Sequence, residues 1–186
     1  MSRKPYKVVK AVEAQPDVVY QSDLVGLLIR MLMRDGKHSV SNRIVQNAIN
    51  NAFGKYIKDE KITLNENSNR NELVLAMIDK VMSNIMPKIE VKTQRFGGAN
   101  YQVPTPVSKK RQVTLGLRNL IASARSRGLK SMIENLSAEL YDAYKGLGGA
   151  VRKMRDTHSM ANANKVYANM VRKSPAADRA NQEDSE

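Results

Sequence analysis

Residues 88–107 read KIEVKTQRFGGANYQVPTPV, and here the period of the chain changes from helical to extended. In KIEVKTQR, Ile89 and Val91 fall on one side of a strand while Lys88, Glu90 and Lys92 fall on the other. Residues 96–100, FGGAN, supply a turn, and YQVPTPV returns as a second extended run. Pro104 and Pro106 lack amide donors, which suits a two-stranded ribbon outside the body better than a strand inside a sheet. On both sides of this hairpin the period is helical. The architecture expected is therefore mainly α: a six-helix bundle with one projecting two-stranded β-hairpin between helices three and four.

Upstream, Leu24, Leu27, Leu28, Met31 and Leu32 recur at helical spacing between Ser22, placed to cap the start, and Gly36, placed to end the helix. A second helix runs from about Ser39 to Lys58, with Val40, Ile44, Val45, Ala48, Ile49, Ala52, Phe53 and Ile57 on one face. Residues 59–69, polar and rich in Asn, read as a surface loop. Asn69 and Glu72 then form a capping pair for a third helix, whose stripe (Val74, Met77, Ile78, Val81, Met82, Ile85) stops at Pro87.

Downstream, three helices are expected: about 109–127 behind Ser108, about 132–146 behind a Ser131 to Glu134 capping box, and about 149–173 after Gly148 and Gly149. Three units follow from this. Residues 1–21 form a basic N-terminal arm, 22–173 a single helical domain with its hairpin at about 88–107, and 174–186 a disordered acidic tail.

Composition narrows the function. With 31 Lys and Arg against 18 Asp and Glu, the net charge is +13, so the partner expected is a polyanion, and nucleic acid is the commonest one. No run of about 18 apolar residues exists for a membrane span. The absence of cysteine removes disulfides, thiolate nucleophiles and Cys-type zinc sites together. His38 and His158 have no acid or nucleophile arranged around them in the sequence, and Gly146, Gly148 and Gly149 complete neither phosphate-loop pattern. The reading is a protein that catalyses nothing and needs no cofactor, metal or small-molecule substrate.

The charge is concentrated. From Lys88 to Lys130 there are ten basic residues and one acid, Glu90. Lys109, Lys110 and Arg111 occupy the first turn of a helix, where cations oppose the macrodipole at a cost of a few tenths of a kcal/mol, so helix stability does not explain them. Arg111, Arg118 and Arg125, spaced by seven, stack along one side of that helix as a stripe that can face phosphates. Arg152, Lys153, Arg155 and His158 offer a second basic surface on the last helix.

Within the hairpin, Arg95, Gly97, Gly98, Tyr101, Gln102, Val103 and Pro104 resemble the R-x-G-G-x-x-Y-Q-V-P signature of the small-subunit ribosomal protein seven family. Gly36 and Lys37, and the run Thr157, His158, Met160, Ala161, Asn164 and Lys165, also resemble that family, and the match extends over about 17–170. The resemblance implies a six-helix body with a hairpin arm. It also implies a structural role: binding the 3' major domain of small-subunit rRNA, nucleating assembly of the subunit head, and lying beside neighbouring head proteins, the exit-site tRNA and the messenger path.

Carried over by position, rRNA contacts are expected at Arg3, Lys4, Lys37, Lys92, Arg95, Gly97, Gly98, Lys109, Lys110, Arg111 and Arg118, with Arg125 added by the stripe. Tyr101, Gln102, Arg152, Lys153, Arg155 and His158 are expected to face tRNA and messenger. His38, Asn119, the segment from Ala168 to Lys173, the Asn-rich loop and the acidic extension depart from the family pattern. The last two departures, with a bacterial-type core, point to a mitochondrial ribosome, with the bacterial cytoplasm as the alternative. The rival from another class is a helix-turn-helix DNA binder built on helices one and two, but the dense charge lies on the hairpin and helix four instead. An RNA-modifying enzyme would need a cofactor fingerprint or an acid and base pair that is not found.

Overall fold

The computed structural model describes residues 16–60, 70–128 and 130–170. In chain order the elements are α1 (Asp23–Leu32), α2 (His38–Glu60), α3 (Arg70–Ile85), β1 (Ile89–Phe96), β2 (Ala99–Pro106), α4 (Lys109–Ser126), α5 (Met132–Tyr144) and α6 (Gly148–Ala163), closed by a 3-10 segment, Lys165–Met170. This is the expected six-helix body with a two-stranded antiparallel hairpin between α3 and α4. Asp59 and Glu60, expected to open the Asn-rich loop 59–69, instead close α2; the rest of that loop with Asn69, Arg3, Lys4 and the acidic tail lie outside the described residues.

The apolar stripes meet in one core. Val25, Leu28, Ile29 and Leu32 of α1 join Val45, Ile49 and Phe53 of α2, the whole expected stripe of α3, Leu117, Leu120 and Ile121 of α4, and Leu136 and Leu140 of α5. Helix α5 packs on α2, α3, α4 and α6, so it forms the axis of the bundle. Two polar side chains seal helix junctions: Ser41 Oγ donates to the Ile29 carbonyl at 2.6 Å, and Asn84 Nδ2 donates to the Ala143 and Tyr144 carbonyls at the end of α5. Both add a second donor to carbonyls at helix ends, where Met33 N already reaches Ile29 and Gly146 N reaches Ala143, and so tie one helix to the next.

Several boundaries differ from the sequence reading. The packed body starts before residue 22: Asp17 Oδ2 accepts from the Val19 and Tyr20 amides, and Tyr20 is buried in the core with its hydroxyl on Asn50. Helix α1 stops at Leu32, four residues short of Gly36: Met33 already leaves the helical backbone with ψ of 140°, and Asp35 and Gly36 then take positive φ in the turn to α2. Ser22 and Ser108 sit at N-cap positions without making a side-chain cap bond, whereas Ser131 Oγ accepts from the Glu134 amide at 3.2 Å. Val40, expected inward, is exposed. The last helix ends at Ala163 instead of about 173: Asn164 Nδ2 donates to the Met160 carbonyl, and the chain continues as the 3-10 segment.

The hairpin is the larger correction. Gly97 and Gly98, with φ of +55° and +90°, make a two-residue turn, so Phe96 and Ala99 pair as strand residues. The alternation of β1 leaves open which side is inside, and at the base it is the side of Glu90 that turns inward. Ile89 is 37 % exposed and Glu90 only 8 %. Val103, Thr105 and Val107 decide which face turns inward, all three being buried, and the register places Glu90 opposite Thr105 and Lys92 opposite Val103. Glu90 is carried inward with them. The base of the ribbon lies on α6, and β2 packs on the 3-10 segment; the tip, Arg95 to Asn100, is mostly exposed.

Candidate nucleic-acid interface

Fold and register together sort the basic residues into those already engaged and those presented outward. Arg95, Lys110 and Arg118 are exposed on the hairpin tip and α4. Lys109 is exposed beside them in the first turn of α4. Gly97 and Gly98 have open space where a side chain would stand, so the turn can approach a nucleic-acid backbone closely.

The stripe Arg111, Arg118 and Arg125 is outward along its length, as the spacing of seven requires. Its two ends have protein partners. Arg125 donates to the Leu32 carbonyl at 3.2 Å. Arg111 Nε lies 2.9 and 2.8 Å from the two oxygens of Glu90, and its Nη2 lies 2.8 Å from Oε2. Lys92 Nζ adds a second cation at 3.2 Å from Oε1.

Burial by itself pushes the Glu90 carboxyl up, but the hydrogen bonds from Arg111 and Lys92 outweigh it and hold the group below the ordinary glutamate range. A depressed pKa in the folded state stabilises above the unfolded value, and that stability disappears as pH falls through the folded value. Followed by NMR, the Arg111 Nε–H resonance should therefore titrate with a midpoint below about 4.3, the ordinary glutamate value. A midpoint at or above that value would mean that burial dominates the pair.

Lys37 and Arg125, far apart in sequence, line one groove between the α1–α2 turn and the junction of α4 with α5. Arg34, which sequence reasoning did not single out, lies there too. Along the chain Asp35 cancels its charge in any local count, and Asp35 lines the same groove. Met33, Val40, Ile44 and Met132 give this groove an apolar wall beside its cations.

The set expected to face tRNA and messenger divides. Gln102, Arg152, Lys153 and Arg155 are exposed, though Arg155 also donates to the Gly146 carbonyl at 3.1 Å. The Tyr101 ring is half-buried between Phe96 at 6.4 Å and Tyr167 at 5.2 Å. His158 Nε2 accepts the Lys88 amide at 3.0 Å, so it tethers the base of the hairpin to α6.

Other cations are paired into the body. Arg127 binds Glu139 at 2.6 Å and also Asp142, and Lys145 binds Asp59 at 2.6 Å. Among the described residues, no three His, Asp or Glu side chains are grouped to hold a metal, and no helix is long and apolar enough to cross a membrane.

The family model described as ribosomal protein S7p/S5e matches residues 3–165. Among similar proteins, the small ribosomal subunit protein uS7 of Malacoplasma penetrans is 44 % identical over 158 residues, covering 85 % of this chain and 93 % of that relative. Its counterpart in Nitratidesulfovibrio vulgaris is 45 % identical over 156 residues, 84 % and 91 % of the two chains. That of Symbiobacterium thermophilum is 41 % identical over 156 residues, with the same two shares.

Proposed function

The chain belongs to the ribosomal protein S7p/S5e family, whose role in the small ribosomal subunit is structural, and from that premise we propose that it holds small-subunit rRNA with the hairpin and α4. The observation that carries this reading is the exposed cation set Arg95, Lys110 and Arg118, flanked by Lys109, on two adjoining elements. Phosphates neutralised by such a set release counterions, and Arg can fork onto two oxygens where Lys supplies a point charge. Recognition by shape and phosphate position suits a protein that meets one folded RNA.

Within that role, the RNA is the 3' major domain, the protein nucleates assembly of the subunit head, and Gln102, Arg152 and Lys153 approach the exit-site tRNA and messenger. Neighbouring head proteins complete its surroundings. The named relatives are bacterial, which gives no support to a mitochondrial location; the bacterial cytoplasm fits.

The test is binding of the purified protein to the isolated 3' major domain across a salt series, with duplex DNA and unrelated folded RNA as competitors. Tight binding that survives both competitors is the expected result. Equal loss to any polyanion would reduce the interface to unspecific charge and overturn the assignment.

A further inference from the structure

Glu90 stands in a place that a simple phosphate-binding surface would not choose. It is the one acid between Lys88 and Lys130, and it is 8 % exposed on a strand whose neighbours are cations. Burying a carboxylate is costly and a buried ion pair seldom stabilises a fold on balance; its better-attested contribution is to fix geometry.

The geometry here is that of a hinge. Only Val107 and Ser108 connect β2 to α4. At this junction Val107 N donates to the Lys88 carbonyl at 3.1 Å, and Gln112 Nε2 donates to the Val107 carbonyl at 2.7 Å. These bonds define a pivot but not an angle. The angle needs contacts away from the pivot: β2 lies on the 3-10 segment with Tyr101 against Tyr167, β1 lies on α6, where His158 takes the Lys88 amide at the base, and on the α4 side Arg111 takes Glu90. Arg111 makes three short contacts in the last of these, through Nε and Nη2, which spends the fork it would otherwise present to a phosphate.

We propose that Glu90 and Arg111 form a latch that sets the angle at which the hairpin stands over α4, so that both act on RNA binding as positioning residues. The consequence for RNA binding rests on the function proposed above; the latch itself does not. A ribbon of eight residues per strand is about 26 Å long, so a swing of about 10° at the base carries the tip through roughly 4–5 Å. That displacement exceeds the tolerance of a hydrogen bond to phosphate. Arg95 and the Gly97–Gly98 turn, at the far end, depend most on the latch.

Charge and latch give opposite signs for one conservative change. Glu90→Gln keeps the shape and removes the acid nearest the proposed RNA surface, so a surface acting by charge would bind RNA more tightly. The latch instead requires weaker binding of the 3' major domain, by about fivefold or more, with the salt slope unchanged. Arg111→Gln should weaken binding similarly without changing the slope, and the double variant should be no weaker than Arg111→Gln alone.

A measurement without RNA separates failure of the latch from failure of the RNA reading. The chain has no cysteine, so nitroxides at Asn100→Cys and Ser126→Cys report the distance from arm to α4 by electron double resonance. The distribution should be narrow in the parent and broadened by Glu90→Gln. An unchanged distribution, or tighter RNA binding by Glu90→Gln, would overturn the latch whatever the parent's affinity.

Discussion

Replacing Glu139 with alanine is expected to destabilise the body by about 3–5 kcal/mol, the usual cost of removing one member of a buried ion pair and stranding the rest. Glu139 is 1 % exposed on α5 and serves two elements at once. Its Oε2 takes Arg127, at the end of α4, at 2.7 Å from Nε and 2.6 Å from Nη2. Its Oε1 takes the Ala150 amide at 2.7 Å.

That amide is in the first turn of α6, where backbone donors have no partner inside the helix. The N-cap residue is Leu147, whose side chain offers no acceptor. A carboxylate from another helix therefore does the capping, and its charge also suits the positive end of the helix dipole. The two glycines that open α6 belong to the same arrangement. A Cβ on Gly148, which takes φ of +91°, would come within 3.1 Å of Glu139 Oε1, and one on Gly149 within 3.0 Å of Ser123.

Chemical denaturation should place Glu139→Ala several kcal/mol below the parent and Glu139→Gln between the two, because the amide can still accept from Ala150 but carries no charge for Arg127. Thermal midpoints should fall by roughly 6–20 °C for the alanine variant. Asp142, more exposed on the outer side of Arg127, should cost about 1 kcal/mol or less on change to asparagine. A Glu139→Ala variant within 1 kcal/mol of the parent would show that α6 is held by its apolar contacts alone.

Why Glu139 escaped the sequence reading while the stripes of α3 did not is a matter of range. The α3 stripe is a local periodicity with a proline behind it, and every residue expected inward is buried. Glu139 sits in SAELYDAY among other polar residues, and its partners are 12 and 11 residues away on different helices. Nothing in its neighbourhood distinguishes a buried carboxylate from a solvated one. The facing of β1 was not legible for a related reason. Alternation states that Ile89 and Glu90 point to opposite sides but not which side is inside; Val103 and Thr105, reached only through the register, make that choice.

The basic interface shows the same division. The concentration of charge on the hairpin and α4 was legible, because ten cations against one acid is a local count. The employment of each cation was not. Arg111, Arg118 and Arg125 are equivalent by spacing, yet one binds Glu90, one binds the Leu32 carbonyl, and Arg118 remains exposed between them. Lys37 and Arg125 meet only because the α1–α2 turn folds against α4.

The difference in employment sets the second large effect. Reversing Lys110 and Arg118 together to glutamate should weaken binding of the 3' major domain by roughly 25- to 60-fold at 0.1 M salt, if each side chain neutralises one phosphate at a slope of about 0.7–0.9. Both side chains are exposed on α4, so stability should change by less than about 0.5 kcal/mol for each. The slope of log K against log salt should flatten by about 1.4–1.8 for the pair. Reversing Lys58, exposed on α2, supplies the control: among the described residues that helix touches α1, α3 and α5 but neither the hairpin nor α4. If Lys58→Glu flattened the slope as much per charge as the α4 pair, binding would follow net charge, and the assignment of α4 as a phosphate-facing surface would fall. A reduced slope confined to the α4 pair, with Arg111→Gln leaving the slope intact, would separate the residues that touch phosphate from those that aim the arm.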